Sequence, residues 1–524
     1  MASTTIGAVD AAVSSRIIAP VSPRAAIGLA RGLLRHQASP AVLLAHAASR
    51  WPDRAAVIDD EGSLTTTELY EHVRELAGAL HARGIGRGST IGLLCRNHAG
   101  FVEAAFAALW VDADLVLLNT EFGAEQLRDV VLREGVDLLV HDEDLTRVVR
   151  KADLGITRLV SDGHGSGSVM GARSFGHPAP SSRRHTGRLV ILTSGTTGTP
   201  KGAPRQAQVA GYVGPLSTML RSMGLRSGDP VLVLPPLFHG FGVAYLVIAI
   251  ALGCPVVLTR RFSPDAALAA VDRHRVRIMF AVPVMLHRML EVAPDERARL
   301  DLRSLRAVQS GAAPLSPVLA RRFTQAFGEV LLNMYGSTEV GWTTIAAPAD
   351  LRDAPGTVGR PVRGVSVRIL DEADRPVARG TVGRIVVRGP MTAATYTGGG
   401  GKEVIDGHVS TGDLGHLDAE GRLFIDGRED DMIVSGGENV FPGEVEDLLQ
   451  QHPGVREVSV HGVADEEFGQ RLQALVVPVA GAEPSPDELR AYVRERLARF
   501  KVPREVELVE ELDRTATGKI KRPR

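Results

Sequence analysis

One stretch near the middle of the chain combines glycine, hydroxyl side chains and a single lysine, directly after a short apolar run. It reads LTSGTTGTPKG from Leu192 to Gly202. Glycine lets a backbone come close to a ligand, and hydroxyls beside exposed N–H groups suit the oxygens of a polyphosphate. The residues available for such contacts are Thr193, Ser194, Gly195, Thr196, Thr197, Gly198 and Lys201. The spacing is not that of a P-loop, in which Gly-Lys is followed by Ser or Thr, because Gly202 follows Lys201 here.

Two later stretches, YGSTE and STGD, add carboxylates to this chemistry. In the first, Tyr335 can stack on an adenine, Thr338 can donate to a phosphate, and Glu339 offers the hard oxygen ligand that Mg²⁺ prefers. In the second, Asp413 on a tight turn can accept hydrogen bonds from both hydroxyls of a ribose. The structural alternatives are a glutamate at a helix N-terminus and an aspartate that caps a turn.

Small residues also follow Ser310, in the sequence SGAAP. Gly311, Ala312 and Ala313 leave a flat backbone surface on which an adenine ring can lie. By composition alone the segment is a plain turn.

Taken together, these stretches resemble the adenylate-forming (AMP-binding) superfamily, and most closely the bacterial fatty-acid–CoA ligases. Seven matching stretches occur in the expected order between residues 192 and 519, and their order and spacing carry the resemblance. It implies an α/β protein, with a large N-terminal domain of helix-covered β-sheets over residues 1–427. A small mobile α+β domain would follow over residues 428–524.

The resemblance also implies roles that composition leaves undefined. His239, in the sequence PPLFHG, would lie beside the acid pocket, although a lone histidine in an apolar run is more often a core residue. Arg428 would contact the ribose and phosphate, and Asp430 would be the pivot of the small domain. Gly436 and Gly437 would let the pantetheine arm of coenzyme A pass close to the backbone.

Lys519, in the sequence TATGK near the C-terminus, would supply a mobile positive charge. A carboxylate that attacks an α-phosphate brings two anions together, so a lysine over the developing charge lowers the barrier. The implied catalytic residues are Thr193, His239, Glu339 and Lys519. The implied nucleotide contacts, besides the first loop, are Gly311, Ala312, Ala313, Tyr335, Gly336, Thr338, Asp413, Arg428 and Lys519.

The implied reaction has two halves and uses ATP, Mg²⁺ held by Glu339, and coenzyme A as co-substrate. A fatty acid would first form an acyl-adenylate, and the small domain would then rotate so that the thiol of coenzyme A could attack. The residues expected to line the acid pocket are small or apolar, namely Gly242, Val282, Met285, Ser310, Gly336, Val340 and Gly341. One departure from the family pattern is His408, which follows Asp406-Gly407 where many relatives have tryptophan.

Three alternatives stay open at this point. An aryl-acid–CoA ligase would share everything but the pocket. A fatty acyl-AMP ligase that loads a carrier protein would share the adenylation residues, although no extra segment between Glu339 and Gly427 is evident. A non-catalytic nucleotide-binding protein would have no need for both Glu339 and Lys519.

The elements that must position these residues follow an alternating pattern. A capping box at Thr65 and Glu68 begins a helix with Leu69, Val73, Leu76 and Leu80 on one face. Strands and helices then alternate through about residue 118, which favours a parallel sheet covered by helices. Residues 161–188 are rich in Gly, Ser, His and Arg and are predicted to form an exposed connector.

Composition bounds the partners. The 524 residues carry a net charge of −1, which gives no reason to expect nucleic acid as a partner. The two cysteines, Cys95 and Cys254, are expected to be small buried residues of a cytoplasmic protein.

Proline and glycine interrupt the uncharged segment 231–259, so we predict a buried helix and strand rather than a membrane span. Residues 22–36 could form a basic helix on a membrane surface, but a helix packed on its own domain is favoured.

Overall fold

The computed structural model describes residues 40–165, 167–173, 176–180, 187–193, 201–205, 209–393, 401–435, 438–465, 469–515 and 518–521. The side chains of Ala41, Thr193, Lys201, Asp430 and several neighbours lie outside this description. The helix predicted over residues 22–36, and with it the question of membrane contact, also falls outside it.

Helices occur along the whole described chain. They are α1 Pro40–Arg50, α2 Thr66–Ala82, α3 Ala99–Trp110, α4 Ala124–Arg133, α5 Thr146–Ala152, α6 Val169–Arg173, α7 Val209–Met223, α8 Gly240–Ala251, α9 Pro264–His274, α10 Pro283–Glu291, α11 Pro294–Ala298, α12 Pro317–Phe327, α13 Pro348–Asp353, α14 Pro442–Leu449 and α15 Pro486–Arg494. Within the described residues, every helix is too short or too polar to cross a membrane.

Strands alternate with these helices in the first half and dominate the second. They are β1 Ala55–Asp59, β2 Gly62–Thr65, β3 Thr90–Leu94, β4 Asp114–Leu117, β5 Leu138–His141, β6 Thr157–Val160, β7 Leu189–Thr193, β8 Lys201–Arg205, β9 Val231–Val233, β10 Val256–Leu258, β11 Ile278–Ala281, β12 Ala307–Ser310, β13 Leu331–Ser337, β14 Gly341–Ala346, β15 Thr357–Pro361, β16 Ser366–Leu370, β17 Gly383–Arg388, β18 Val404–Ile405, β19 His408–Leu417, β20 Leu423–Arg428, β21 Ile433–Ser435, β22 Glu438–Val440, β23 Val455–Asp465, β24 Gly469–Pro478 and β25 Glu505–Leu508.

The chain divides into two compact units. The first comprises Met1–Ala281, Glu291–Gln309 and Ala393–Gly401, and the second comprises Val282–Leu290, Ser310–Thr392 and Lys402–Arg524, as far as these residues are described. The domain boundary at residues 427/428 that the resemblance implies stays a prediction.

The first unit contains the parallel sheet that the alternating pattern predicts. Its strand order is β6-β5-β3-β4-β7-β8, and every neighbouring pair is parallel except β7 with β8. A second run of strands, ordered β12-β11-β9-β10-β1-β2, lies in the same unit. Apolar residues from β3, β4, β5 and β7 pack against α4 and α5. The α/β fold class is therefore confirmed for this part of the chain.

Local sequence signals for helix α2 are also confirmed. The backbone N–H of Glu68 donates to Thr65 Oγ1 over 3.2 Å, and the N–H of Thr65 donates to the carboxylate of Glu68 over 2.8 Å. The predicted apolar face, Leu69, Val73, Leu76 and Leu80, is buried. The uncharged segment 231–259 forms β9, α8 and β10 as a buried helix and strands.

The prediction for residues 161–188 was partly wrong. Four described residues of this segment are buried, Ser161, Ser168, Val169 and Ala172, and α6 contacts α2. The buried side of α6 has only two apolar side chains, Val169 and Ala172, which is too short a pattern to predict a helix from polar surroundings.

The second unit contains antiparallel strands in the order β16-β17-β19-β20-β15-β14-β13, with β18 on β19. Its C-terminal part forms a separate sheet, ordered β22-β21-β24-β23, with β25 parallel to β24. Helices α14 and α15 cover this small sheet through an apolar core that includes Val445, Leu449, Leu489 and Val493.

Candidate functional site

The glycine- and hydroxyl-rich loop joins two strands of the first unit. Strands β7 and β8 pair antiparallel, with Leu192 opposite Gly202 and Thr193 opposite Lys201. The hairpin therefore brings the two ends of the loop together. Residues 194–200 and the side chains of Thr193 and Lys201 lie outside the described structure, so their phosphate contacts stay a prediction.

His239 lies in the first unit at the N-terminus of α8. Its imidazole is 4.5 Å from the ring of Phe238 between centroids, and α8 begins at the next residue. A Cβ on Gly242 would lie 2.5 Å from the carbonyl oxygen of Pro236, so only glycine allows this close turn into the helix.

Asn97 holds the turn that precedes His239, and sequence reasoning missed it. Its amide nitrogen donates to the carbonyl of Pro235 over 3.0 Å, and its amide oxygen accepts from the N–H of Leu237 over 2.8 Å. Asn97 is buried and lies 138 residues from Pro235, so no local pattern could have indicated the contact.

In the second unit, the YGSTE and STGD stretches meet at one pair of side chains. The hydroxyl of Tyr335, near the end of β13, donates to Asp413 Oδ2 over 2.5 Å. Arg428 lies opposite Asp413 in the β19–β20 register, and its Nε is 3.6 Å from Asp413 Oδ1. The structure therefore brings Tyr335, Asp413 and Arg428 together; that this group binds a nucleotide stays a prediction.

The prediction of a tight turn at Asp413 was wrong, because Asp413 lies inside strand β19, beside an irregularity in its pairing with β17. This irregular part of β19 is held from both sides. The hydroxyl of Thr411 donates to the carbonyl of Ile385 over 3.0 Å and accepts from the N–H of Asp413 over 3.1 Å. Gly412 has a φ of +78°, a left-handed conformation that glycine adopts at no steric cost. Burial raises the pKa of Asp413, and the Tyr335 hydroxyl and the nearby cations Arg428, Lys519 and Lys402 oppose that rise.

Lys402 is a further cation beside this part of β19 that sequence reasoning did not single out. A Cβ placed on Gly412 would lie 3.2 Å from Lys402 Nζ and 3.7 Å from Arg428 Nη2. Both cations therefore lie on the side of the strand to which a Cβ of residue 412 would point. Lys402 follows a run of glycines, a context that gave no signal of a site.

Lys519 belongs to the same group of charges. Loss of hydration and the positive charge of Arg428 lower the pKa of Lys519, while Asp413 and Glu339 raise it. The preceding Gly518 has a φ of +76°, and a Cβ on it would lie only 2.4 Å from Val284 Cγ1. The backbone at Gly518 therefore lies so close to the N-terminal turn of α10 that no side chain fits between them.

Glu339 lies two residues after the end of β13, and its backbone N–H donates to Ser337 Oγ over 3.2 Å. Its carboxylate acts on Lys519 and offers hard oxygen ligands close to the other charges of the site. Mg²⁺ is commonly held by one or two carboxylates together with substrate phosphates, so this residue fits the ion.

The SGAAP segment follows strand β12. Ala312 has a φ of +66°, a conformation rare for residues other than glycine. Gly311 and Ala313 flank it on the loop between β12 and α12. That this loop lies against an adenine ring stays a prediction.

The expected acid-pocket residues include a pair whose surroundings the structure defines. A Cβ on Gly336 would lie 2.1 Å from the carbonyl oxygen of Gly341, and one on Gly341 would lie 2.5 Å from Cβ of Met391. Both glycines are therefore required by the chain's own packing. Met391 is buried and fills the space beside Gly341, a role that its sequence position did not indicate.

The residues assigned to domain rotation are described only in part. Asp430 lies in a short 3-10 turn, Glu429–Asp431, directly after β20. Gly436 and Gly437 lie outside the described residues, between Ser435 and Glu438, which pair across the β21–β22 hairpin. The roles of Asp430 as pivot and of the glycine pair as a coenzyme A passage stay predictions.

His408, the departure from the family pattern, is buried in the β18–β19 turn. Its Nδ1–H donates to the carbonyl of Asp406 over 3.1 Å, and its Nε2 lies 3.2 Å from Ser366 Oγ. Burial lowers the pKa of His408. A neutral imidazole thus ties the β18–β19 turn to β16.

Comparison with known proteins identifies the family of the chain. Residues 44–397 match the model of the AMP-binding enzyme family, and residues 444–519 match that of the AMP-binding enzyme C-terminal domain. The chain belongs to the AMP-binding enzyme family. This AMP-binding enzyme is an AMP-forming acid–thiol ligase that uses ATP, Mg²⁺ and coenzyme A.

Individual relatives cover nearly the whole AMP-binding enzyme. A feruloyl-CoA synthase of Amycolatopsis is 34% identical over 90% of this chain and 94% of its own length. An indoleacetate–CoA ligase of Aromatoleum aromaticum is 32% identical over the same shares. The o-succinylbenzoate CoA synthetase of Bacillus subtilis, solved with its acyl-adenylate intermediate, superposes with a TM-score of 0.80 at 27% identity, covering 91% of this chain and 96% of that one.

Proposed function

We propose that this enzyme joins an aromatic carboxylic acid to coenzyme A through an acyl-adenylate. The observation that carries the adenylation half is the charge cluster of the second unit. Asp413 and Glu339 lie among Arg428, Lys402 and Lys519, and both Asp413 and Lys519 have pKa values shifted toward their neutral forms by loss of water. Charges held out of water act more strongly on a reacting phosphate.

The aromatic class of the acid rests on the relatives. Feruloyl, indoleacetyl and succinylbenzoyl groups, which the three relatives' names specify, all contain an aromatic ring. The lining expected from sequence is small or apolar and fits an aromatic ring as well as a fatty chain. The fatty acid inferred from sequence is therefore the competing substrate.

In the first half-reaction, the substrate carboxylate attacks the α-phosphate of ATP, and pyrophosphate leaves. Lys201 and the hydroxyl loop hold the phosphates, Asp413 accepts the ribose hydroxyls, and Lys519 stabilises the charge between the two reacting anions. Mg²⁺, held by Glu339, neutralises phosphate charge when bound.

In the second half-reaction, the small domain turns at Asp430 and takes Lys519 away from the adenylate. The thiol of coenzyme A passes Gly436 and Gly437 and attacks the acyl carbonyl. A carbon–sulfur bond forms, the bond to AMP breaks, and the thiol proton goes to solvent.

A substrate panel tests this proposal. The purified enzyme receives Mg-ATP with benzoate, cinnamate, ferulate or indoleacetate, and separately with short, medium and long fatty acids, each with and without coenzyme A. We expect pyrophosphate release and a thioester of the correct mass with an aromatic acid. Thioester with fatty acids alone would reject the aromatic assignment. Pyrophosphate without thioester would reject coenzyme A as acceptor.

Two lysine variants sharpen the same experiment. Lys519→Ala should reduce acid-dependent pyrophosphate release by on the order of 100-fold or more, because a charge stabiliser of the transition state is lost. Thioester formation from supplied acyl-AMP should stay nearly unchanged. Lys521→Ala is the matched control, since Lys521 contributes its backbone N–H to the same hairpin and its side chain is exposed. Equal loss of both half-reactions in Lys519→Ala would contradict its assigned role.

A further inference from the structure

The loop that carries Lys519 is a hairpin with its own hydrogen bonds. The N–H of Gly518 donates to the carbonyl of Thr515 over 2.7 Å, and the N–H of Thr515 donates to the carbonyl of Lys519 over 2.8 Å. The N–H of Lys519 donates to Thr515 Oγ1 over 3.1 Å. Arg514 and Ile520 form an antiparallel bridge at its base. These hydrogen bonds tie Lys519 and Gly518 to Thr515 at the described ends of the hairpin.

Arg514 ties this hairpin to the small sheet. Its Nη1 donates to the carbonyl oxygen of Gly518 over 2.8 Å, and its Nη2 donates to Glu457 Oε2 over 3.0 Å. The side chains of Arg514 and Glu457 are 21% and 17% exposed, so water screens their attraction only in part. Glu457 lies on β23 opposite Val477 of β24, inside the paired region of the sheet.

The hairpin has little room to shift from its position. Gly518 fits against Val284 without room for a Cβ, and its neighbour Lys519 acts on Asp413 and Glu339. A displacement of about 1 Å in a catalytic group can cost on the order of 100-fold in rate. The hydrogen bond from Arg514 reaches the carbonyl of Gly518, which is one residue from Lys519, the group that adenylation requires in place.

We propose that Arg514 is a positioning residue for adenylation. By bridging Glu457 to the carbonyl of Gly518, it sets where Lys519 stands and carries the hairpin along with the small sheet. This proposal rests on the proposed function, since it assigns to Arg514 the placement of the adenylation lysine.

The side-chain chemistry explains why arginine is required. A guanidinium presents several N–H groups in a rigid planar fork and can donate to a carboxylate and a carbonyl at once in fixed geometry. The ammonium group of a lysine keeps the charge on a flexible stem without that fork. We therefore expect Arg514→Lys to recover part, but not all, of what Arg514→Met loses.

The kinetic test measures the two half-reactions separately. In Arg514→Met, kcat for acid-dependent pyrophosphate release should fall on the order of 10- to 100-fold. Thioester formation from supplied acyl-AMP should stay within about twofold of wild type, because Lys519 is not needed there. Glu457→Gln should show a smaller loss with the same split, since the neutral amide still accepts a hydrogen bond.

Arg456→Met is the matched control. Arg456 lies beside Glu457 on β23, and its Nη2 donates to the carbonyl of Glu510 over 3.4 Å. It thus contacts the same C-terminal segment, and within the described residues its hydrogen bond goes to Glu510 and not to the Lys519 hairpin. Both half-reactions of Arg456→Met should match wild type. Equal loss of the two half-reactions in Arg514→Met, or the same loss in Arg456→Met, would overturn the proposal.

Hydrogen exchange separates this proposal from the proposed function. In the enzyme without substrates, the amides of Thr515, Gly518 and Lys519 should exchange faster in Arg514→Met than in wild type or Arg456→Met. Unchanged exchange would overturn the positioning role whatever acid the enzyme accepts. If exchange is faster in Arg514→Met but the wild-type enzyme activates none of the acids, the positioning role of Arg514 stands and only the proposed function is rejected.

Discussion

At the residue scale, the site is a group of charges of both signs, in which burial removes water from Asp413 and Lys519. Asp413 and Glu339 supply negative charge, and Lys402, Arg428 and Lys519 supply positive charge. Among the described residues of this group the cations outnumber the carboxylates, which suits a polyphosphate bound with Mg²⁺. Desolvation raises the pKa of Asp413 and lowers that of Lys519. Binding of an anionic nucleotide would therefore favour the charged form of the lysine.

One prediction concerns the alkaline limit of adenylation. Desolvation lowers the pKa of Lys519 most, and the positive charge of Arg428 lowers it further. The protonated lysine is the active form, so kcat/KM for pyrophosphate release should fall as pH rises through this lowered pKa. Arg428→Gln removes a repelling charge and should move that limb to higher pH. The measurement is the pH dependence of kcat/KM, which reports the free enzyme.

The control for this shift is Arg422→Gln, on the turn that joins β19 to β20. Arg422 pairs with Asp418 and Glu420 and is not among the groups that act on Lys519. Its alkaline limb should stay at the wild-type pH. A limb that does not move in Arg428→Gln would contradict the assignment of that limb to Lys519.

At the element scale, the site depends on the pairing of strands. Asp413 and Arg428 are opposite residues of the β19–β20 pair, and Tyr335 lies two residues before the end of β13. The small sheet supplies Glu457 for the Lys519 hairpin, and α15 covers that sheet. The stability of α15 therefore matters for the support of Lys519.

Helix α15 offers a test of this support. The N–H of Glu488 donates to Ser485 Oγ over 3.1 Å, and the N–H of Ser485 donates to the carboxylate of Glu488 over 3.3 Å. Ser485→Ala removes the cap and should cost about 1 kcal/mol of unfolding free energy. Denaturant unfolding, followed by hydrogen exchange of residues 486–494, measures this loss. Ser485→Thr keeps the hydroxyl and should retain most of the stability; equal loss in both variants would argue against the cap.

At the scale of the whole molecule, we expect one buried hydrogen-bond network in the first unit to make the free energy of unfolding depend on pH in the acid range. Asp142 is fully buried and accepts hydrogen bonds from His98 Nε2 over 2.8 Å, Ser161 Oγ over 2.6 Å and the N–H of Arg96 over 2.9 Å. Burial alone would raise the pKa of Asp142, but these partners, led by His98, hold it below its ordinary value.

The sign of the pH effect follows from that lowered pKa. The unfolded chain binds a proton at Asp142 near pH 4, whereas the folded protein resists protonation to lower pH. The stability from this residue is present above about pH 4 and is lost as pH falls below it. Asp142→Asn should lose about 3 kcal/mol at pH 7 and show a weaker acid dependence.

Thermal unfolding midpoints at pH 7 and near pH 3.5 measure this difference. Asp295→Asn is the control, because Asp295 is an exposed carboxylate in α11. Its midpoints should follow wild type at both pH values. A wild-type midpoint for Asp142→Asn at pH 7 would mean that the buried carboxylate does not contribute to stability.

Several local features were predictable because their causes lie within a few residues. Thr65 and Glu68 form the expected capping box because its reciprocal hydrogen bonds join residues three apart. Leu69 to Leu80 bury the expected face because helical periodicity sets which residues share it. Alternating apolar runs predicted the parallel sheet of the first unit. Proline and glycine within residues 231–259 indicated a buried helix instead of a membrane span.

The sequence by itself determined the composition and order of the motifs, the α/β class and the helix caps. Tertiary structure alone decided which distant residues meet: Tyr335 with Asp413, 78 residues apart, and Arg514 with Glu457, 57 apart. It also decided that Met391 fills the space beside Gly341. Such contacts depend on strand register and on the approach of separate elements. No periodicity within a single element encodes them, because a local pattern fixes which face is buried but not what that face meets.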